Sequence, residues 1–258
     1  MKVFDENTFT TAWFKALKFL NEKGNSPYYN LLIYVENPAN FDDKSEQIIK
    51  ITDTFLKQYS KSLHNVAETI FPAALYYKYG WKKLQEKYLE LYPEIKTIST
   101  WGTYAHRMLF RQKSDNTEIN PLDICLEKLK KIHNRKPKTK AAYEINILDE
   151  NLDLQMYCAN QDKNRIIGGP CLSHISLKLD LEKKLYLTAL YRSHFYVERA
   201  LGNLIGLLRL QEVLCKEANL SPGPLVCMST YAQVDYGNKS PWKKSDVDRL
   251  IEELDNIF

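Results

Sequence analysis

The sequence lacks an apolar run that could cross a bilayer, which would need roughly 20 consecutive apolar residues. Its first residues, MKVFDENTFTTAW, contain no apolar core, so we expect no signal peptide. Its five cysteines are scattered, odd in number and without a CxxC pair. These absences argue against a membrane protein, and they favour a reduced protein of the cytoplasm.

An excess of charge of one sign is also absent. The chain has 36 Lys and Arg against 32 Asp and Glu, and its formal net charge of +4 favours anionic ligands only slightly. Neither a basic stripe nor an RNA-binding motif occurs, so we expect no nucleic-acid partner. Repeats, low-complexity tracts and linkers are missing as well. With 258 residues, 44% of them hydrophobic, the chain can bury a real core, and we predict one α+β domain over residues 1–258.

Apolar spacing divides the chain into a mainly helical first half and a strand-rich second half. Helical spacing and breakers predict helices at 10–22, 43–59, 65–80 (broken at Pro72), 81–91, 103–112, 121–133, 200–217 and 245–258. Alternation and β-rich composition predict strands at 29–38, 141–148, 152–158, 174–180, 184–193 and 225–235. The faces of helix 200–217 are too apolar for an exposed helix, so we expect it to be buried. Ser245 is a suitable N-cap for the last helix.

One thiol stands in an unusual place. In GGPCLSHISL, residues 168–177, Cys171 lies between a glycine-proline turn and a run that resembles a strand. It could be a small core residue, a metal ligand, half of a disulfide or a nucleophile. A metal pair formed by His174 and His194 has no acidic or cysteine partner at ligand spacing. We interpret the remaining cysteines as core or surface thiols: Cys125, Cys158, Cys215 and Cys227.

The thiol is followed by polar motifs in a fixed order. They are YRS at 191–193, GN at 202–203 and YAQVD at 231–235, and Asn203 lies eleven positions after Arg192. With GGPC, this ordered set resembles the thymidylate synthase family, including its pyrimidine hydroxymethylase branches. The resemblance covers about residues 120–236 well and the first half loosely, where AETIFP (67–72) looks like the family's glutamate helix and WGTYAHR (101–107) looks like its Gly-x-x-Tyr segment.

The resemblance implies a fold and a reaction. The fold would be a thymidylate synthase-like mixed β-sheet packed with helices around one long buried helix. The enzyme would add a one-carbon unit, hydroxymethyl or methyl, to C5 of a pyrimidine nucleoside monophosphate. Because C5 is a poor nucleophile, the thiolate of Cys171 would first add to C6 and make C5 enolate-like.

The same resemblance assigns roles to further residues. Arg192 would lower the pKa of the thiol or bind the phosphate, and Ser193 would add a phosphate hydrogen bond. Asn203 would bind the N3–H and O4 edge of uracil. Glu68 would move protons through ordered water and Tyr104 would assist at C5, although Glu68 could equally face water.

A cofactor and a partner subunit are implied as well. The family takes its carbon unit from 5,10-methylenetetrahydrofolate and is a homodimer whose partner lends two arginines to each phosphate. Here Lys138 and Lys140 stand where those arginines are expected, and lysines bind phosphate as point charges without a fork geometry.

The pattern is broken at several positions. Leu172 replaces the family's histidine after the nucleophile, and Phe195 replaces the aspartate that holds the folate pterin. Gln233 and Asp235 replace the two residues that hold the sugar, and a carboxylate there suits the cis-diol of a ribonucleotide. The segment 23–45 contains no arginine for the phosphate. The alternative is therefore a degenerate member that binds a nucleotide as a sensor or partner-binding module without catalysis.

Overall fold

The computed structural model describes residues 1–24, 26–98, 102–112, 116–131, 143–147, 170–237 and 240–258. The helices are α1 (Phe9–Glu22), α2 (Asp43–Lys57), α3 (Leu63–Ile70), α4 (Ala73–Tyr79), α5 (Trp81–Ile98), α6 (Tyr104–Leu109), α7 (Pro121–Lys131), α8 (Leu201–Ala218) and α9 (Lys244–Asp255), with a π-helical turn at Tyr196–Ala200 before α8. The strands are β1 (Lys2–Glu6), β2 (Tyr28–Val35), β3 (Arg111–Gln112), β4 (Glu118–Ile119), β5 (Glu144–Asn146), β6 (Leu172–Leu179), β7 (Lys184–Tyr191), β8 (His194–Phe195) and β9 (Ser221–Gln233).

The main sheet is mixed and joins both ends of the chain. Its strand order is β1-β2-β9-β7-β6-β5, and β8 pairs with β9 off this path. The pairs β1/β2, β7/β9 and β8/β9 are parallel, whereas β2/β9, β6/β7 and β5/β6 are antiparallel. Helices pack against this sheet around a common apolar core. The predicted α+β class with a mixed sheet is confirmed at this level.

The long helix α8 lies inside the molecule, as its composition predicts. Most of its residues are buried, and its N-terminal half packs against α3. Gly202 and Gly206 permit this close approach, because a Cβ at Gly206 would lie 2.6 Å from Ile70 Cβ and 2.8 Å from the Ala67 carbonyl oxygen. The buried helix therefore places the side chain of Asn203 in the core.

Several element boundaries differ from the sequence prediction. Strand β1 was not predicted, and β9 begins already at Ser221, because the SPGP segment pairs with the start of β7. Helix α5 continues through Pro93 in its exposed half. Ser245 is not the N-cap of α9, which begins at Lys244 because the Lys243 backbone N–H donates to the Asp246 carboxylate at 2.9 Å. The predicted strand at 152–158 lies outside the described residues.

Within the described ranges, no helix combines the length and the apolar character that a bilayer crossing requires.

Candidate functional site

A β-hairpin brings the thiol and the arginine together. Asp180 follows β6, and its carboxylate accepts the backbone N–H groups of Glu182 (2.9 Å) and Lys184 (2.8 Å), which fixes the turn into β7. Leu172 then stands opposite Tyr191 in the antiparallel register. The residues just beyond this pair, Cys171 and Arg192, lie side by side at the open end of the hairpin.

Arg192 is held against the turn that carries the thiol. Its backbone N–H donates to the Cys171 carbonyl oxygen at 2.9 Å. Its side-chain Nε donates to the carbonyl oxygen of Pro170 at 3.0 Å. Two hydrogen bonds therefore fix Arg192 beside Cys171, while both residues stay half-buried at the surface of the core.

The electrostatics of Cys171 differ from the prediction. Burial raises the pKa of the thiol, and the nearby guanidinium groups of Arg192 and Arg199 lower it by less, so that the pKa lies above its usual value. Arg192 therefore lowers the pKa of Cys171 in the predicted direction, but desolvation outweighs the two cations.

Arg199 is a cation of this site that sequence reasoning missed. It lies in the π-helical turn, its side chain is about half exposed, and its Nη2 pairs with Glu198 Oε1 at 2.7 Å. Lys61 of the α2–α3 loop also pairs with Glu198, at 3.0 Å. The motif VERA at 197–200 gave no signal of this role, since only the turn geometry brings Arg199 near Cys171.

Two tyrosines lie next to the thiol inside the protein. Tyr104 begins α6, which Thr103 caps by accepting the His106 backbone N–H at 3.1 Å. The Tyr104 hydroxyl lies against the backbone N–H groups at Cys171 and Leu172, and burial raises its pKa to about 12. The β6–β7 hairpin therefore contacts α6 at Tyr104, the residue that the resemblance expects to assist at C5 of the base.

Tyr191 is the second tyrosine and was not predicted as a site residue. Its side chain is fully buried, and its ring stacks on His194 with centroids 4.0 Å apart. Tyr104 and Cys171 are among the groups that raise the pKa of its hydroxyl, although burial is the largest cause. Among the residues that the structure describes, this hydroxyl has no hydrogen-bond partner.

Asn203 is bound to a buried histidine. Its Nδ2 donates to His194 Nε2 at 3.0 Å, so the other ring nitrogen, Nδ1, carries the proton and donates to Ser229 Oγ at 2.9 Å. Burial lowers the pKa of His194 to about 3 and keeps the ring neutral. Sequence reasoning considered His194 only as a metal ligand, but the structure makes it the partner that orients Asn203.

Glu68 lies at the α3–α8 contact. Its Oε1 accepts from Arg209 Nη1 at 3.1 Å, and its Oε2 accepts the Ala74 backbone N–H at 3.3 Å. Burial raises the pKa of Glu68, and His64 and Arg209 lower it. In the part of the chain that the structure describes, these contacts do not link Glu68 to Cys171.

Asp235 acts as a helix cap. Its Oδ1 accepts the Val197 backbone N–H at 2.8 Å, and its Oδ2 accepts the Glu198 backbone N–H at 3.0 Å. Both bonds satisfy the first turn of the segment that leads into α8. Burial nevertheless raises the pKa of Asp235 to about 7. Both carboxylate oxygens of Asp235 thus have backbone partners, so its burial is accounted for without a sugar ligand.

The other predicted residues are placed as follows. Gln233 ends β9, and its Oε1 accepts from the Tyr231 hydroxyl at 3.0 Å. Ser193 and Phe195 are half-buried beside Arg192 and His194 in the chain. Lys138, Lys140 and Cys158 lie outside the described residues, so the structure does not place the predicted lysine pair.

The two histidines that were considered as a metal pair, His174 and His194, have different hydrogen-bond partners. His174 bonds to Asn146 Oδ1 and to Glu144 Oε2, each at 2.7 Å, on the exposed side of β5 and β6, whereas His194 is buried. A search of the described residues finds no group of three or more His, Cys, Asp or Glu side chains that could hold a metal ion.

Comparison with known proteins adds no assignment. No family model matches this chain. No curated protein matches it at a significant level either.

Proposed function

We propose that this chain binds a pyrimidine nucleoside monophosphate at Cys171 and adds a one-carbon unit, hydroxymethyl or methyl, to C5 of the base, in the manner of the thymidylate synthase family. The observation that supports this proposal is the meeting of Cys171, Arg192 and Tyr104 at one end of the β6–β7 hairpin. These are a nucleophile, a cation and a hydroxyl, contributed by separate elements of the chain.

The proposed chemistry begins with the thiol. The S–H proton passes to solvent and a sulfur–C6 bond forms, while the electron pair of the C5=C6 double bond moves into the carbonyl at C4 as an enolate. C5 is then the nucleophilic carbon that attacks the one-carbon electrophile. Arg192 and Arg199 supply the positive charge that favours the thiolate and a bound phosphate. Because the pKa of the resting thiol is raised, we expect the thiolate to form only when substrate is in place.

Asn203 would bind the base edge in this scheme. Since His194 takes one Nδ2 hydrogen, Oδ1 and the second Nδ2 hydrogen of Asn203 are the groups left for N3–H and O4. Glu68 and Asp235 already have protein partners, so we assign neither of them a step.

The predicted cofactor fits these residues poorly. Phe195 occupies the position where the resemblance places a carboxylate for the pterin of 5,10-methylenetetrahydrofolate, and an aromatic ring cannot accept those hydrogen bonds. The proposed steps are therefore limited to thiol addition and activation of C5.

Two further parts of the proposal concern the whole protein. It includes a homodimer in which Lys138 and Lys140 of one subunit reach the phosphate of the other, and a cytoplasmic location where thiols stay reduced. Sedimentation velocity of the native chain tests the dimer, and nucleotide binding by a Lys138→Ala/Lys140→Ala variant tests the phosphate contacts. A monomer at micromolar concentration would contradict it.

A second candidate function is nucleotide binding without catalysis. It is favoured by the raised pKa of the Cys171 thiol and by the pairing of Glu68 with Arg209. In this case the protein would be a sensor or a partner-binding module, and the arginines would be needed whereas the thiol would not.

Exchange of the C5 hydrogen separates these candidates. UMP, dUMP, CMP and dCMP are each incubated in D₂O without folate, with native protein, Cys171→Ala and Cys215→Ala, and loss of the C5 proton signal is followed by NMR. Cys215 is the matched control, because it is a buried thiol near the end of α8. We expect exchange of one nucleotide, lost only in Cys171→Ala. Binding of a nucleotide without any exchange would support the non-catalytic function instead.

A further inference from the structure

A buried histidine that has no step in the proposed chemistry lies behind Asn203. His194 is 2% exposed, and both of its ring nitrogens have partners: Nε2 lies 3.0 Å from Asn203 Nδ2, and Nδ1 lies 2.9 Å from Ser229 Oγ. An amide nitrogen can only donate, so Nε2 is the acceptor and Nδ1 carries the proton. The ring therefore determines which end of the Asn203 amide faces His194.

The ring of His194 is held by its neighbours. It stacks on Tyr191 with centroids 4.0 Å apart and nearly parallel planes, and the Tyr196 ring meets it edge-on at 5.4 Å. Ser229 is fully buried in β9, where it stands opposite Tyr191 in the parallel register with β7. Burial also lowers the pKa of His194 to about 3, so the ring is neutral and keeps one proton at physiological pH. It therefore presents Nε2 to Asn203 as a fixed acceptor.

These contacts connect Asn203 to the end of the β6–β7 hairpin that carries the thiol. Asn203 bonds to His194, and His194 stacks on Tyr191. Tyr191 stands opposite Leu172, which directly follows Cys171. The amide of Asn203 is thus held by the same packed unit that positions the proposed nucleophile.

The two pyrimidine bases differ in the groups that this amide would meet. Uracil offers the N3–H donor and the O4 acceptor, whereas cytosine offers an N3 acceptor and an N4–H donor. An amide with a fixed direction presents Oδ1 and one Nδ2 hydrogen in one order, so it matches only one of these bases. To match the other base, the Asn203 amide must turn over, and the proton of His194 must then move from Nδ1 to Nε2. Polar groups left unmatched in a closed site reject a ligand strongly.

We propose that His194, held by Ser229, is a positioning residue that fixes the direction of the Asn203 amide, so that the site selects a uracil nucleotide over a cytosine nucleotide. His194 acts through Asn203 and does not itself bind the base. Ser229 supplies the acceptor that keeps the ring proton on Nδ1. This inference rests on the proposed function, because it needs a pyrimidine nucleotide at Asn203, but it applies whether or not catalysis follows binding.

The experiment measures the ratio of two affinities. Titration calorimetry gives the dissociation constants of UMP, dUMP, CMP and dCMP for native protein, His194→Gln and Ser229→Ala. We expect native protein to prefer the uracil nucleotide of either sugar by at least about tenfold. The ratio should fall toward one in His194→Gln, because a glutamine amide can donate to Asn203 or accept from it. It should also fall in Ser229→Ala, because the proton on Nδ1 then loses its acceptor.

Ser45→Ala is the matched control. Ser45 is also a fully buried serine, but its hydroxyl lies 2.8 Å from Thr10 Oγ1 in the contact between α1 and α2. We expect this variant to keep the native ratio of affinities. A merely structural loss in the other two variants would weaken the binding of both bases equally and would leave the ratio unchanged, so the ratio separates positioning from stability.

A measurement on native protein guards against misfolded variants. Nitrogen-15 NMR of the His194 ring, without nucleotide, should show a proton on Nδ1 and none on Nε2, and the reverse assignment would overturn the inference. A native preference for cytosine nucleotides, or a ratio that is the same in native protein and both variants, would also overturn it, even with C5 exchange intact. Failure of all four nucleotides to bind would instead remove the proposed function, and this inference with it.

Discussion

At Cys171, desolvation and two cations act on the same thiol in opposite directions. The half-buried position raises its pKa, and Arg192 and Arg199 lower it. The balance differs from a thiol at an exposed cationic site, where the cations prevail.

Arg192 offers a direct test at the residue scale. Arg192→Met removes one cation and the Nε bond to Pro170, so the pKa of the Cys171 thiol should rise further. Arg192→Lys keeps the charge without the fork and should raise it less. The pH profile of alkylation at Cys171 measures both. Equal profiles for the methionine variant and the native protein would show that the guanidinium does not act on the sulfur.

At the scale of elements, the contact between α3 and α8 determines where Asn203 lies. The two glycines of α8 face Val66 and Ile70 of α3 at distances that leave no room for a methyl group. A larger residue would push the helices apart and move the N-terminal half of α8, which carries Asn203. The packing of two helices is in this way part of the site.

Gly206→Ala tests this contact. Alanine favours a helix over glycine by about 1 kcal/mol, but the new Cβ would overlap Ile70 and the Ala67 carbonyl, and overpacking costs about 1–3 kcal/mol. We expect a net loss of free energy of unfolding of about 0–2 kcal/mol and weaker nucleotide binding. Denaturant unfolding and titration calorimetry measure the two effects. A gain in stability would mean that the helices are not in contact at this glycine.

At the scale of the whole molecule, two buried groups give opposite pH dependences. The pKa of His194 is lowered from 6.5 to about 3, so its contribution to stability is present above pH 6.5 and is lost as the pH falls. The pKa of Asp235 is raised from 3.8 to about 7, so its contribution is present at low pH and is lost as the pH rises through 7. Between pH 3.8 and pH 6.5, the two groups therefore change the free energy of unfolding with pH in opposite directions.

Asp235→Asn should make the pH dependence that His194 contributes to the free energy of unfolding measurable. With the carboxyl removed, the free energy of unfolding should fall between pH 6.5 and pH 4 more steeply than in the native protein, by about 1.4 kcal/mol per pH unit. Denaturant unfolding at several pH values measures the slope. Asp5→Asn, at an exposed position in β1, is the control and should follow the native protein. Parallel curves for Asp235→Asn and the native protein would contradict the two titrations.

The amino-acid sequence predicts most of the local secondary structure and the proximity of Cys171 and Arg192. Apolar spacing predicted α1, α2, α8 and β7 within a few residues, because periodicity reports which face of an element is buried. The resemblance also implied that Arg192 lies near the thiol of Cys171, and the β6–β7 hairpin brings the two residues together because its strand ends lie side by side.

The pKa values and hydrogen-bond partners of these residues follow from the tertiary structure alone. The pKa of Cys171 depends on desolvation by elements distant in the chain, and the partners of Glu68, Asn203 and Asp235 come from helix and strand contacts that no local pattern contains. The unpaired hydroxyl of Tyr191 is of the same kind. A sequence pattern identifies candidate functional side chains. The packing around each side chain then sets its charge state and the hydrogen bonds it still has to offer.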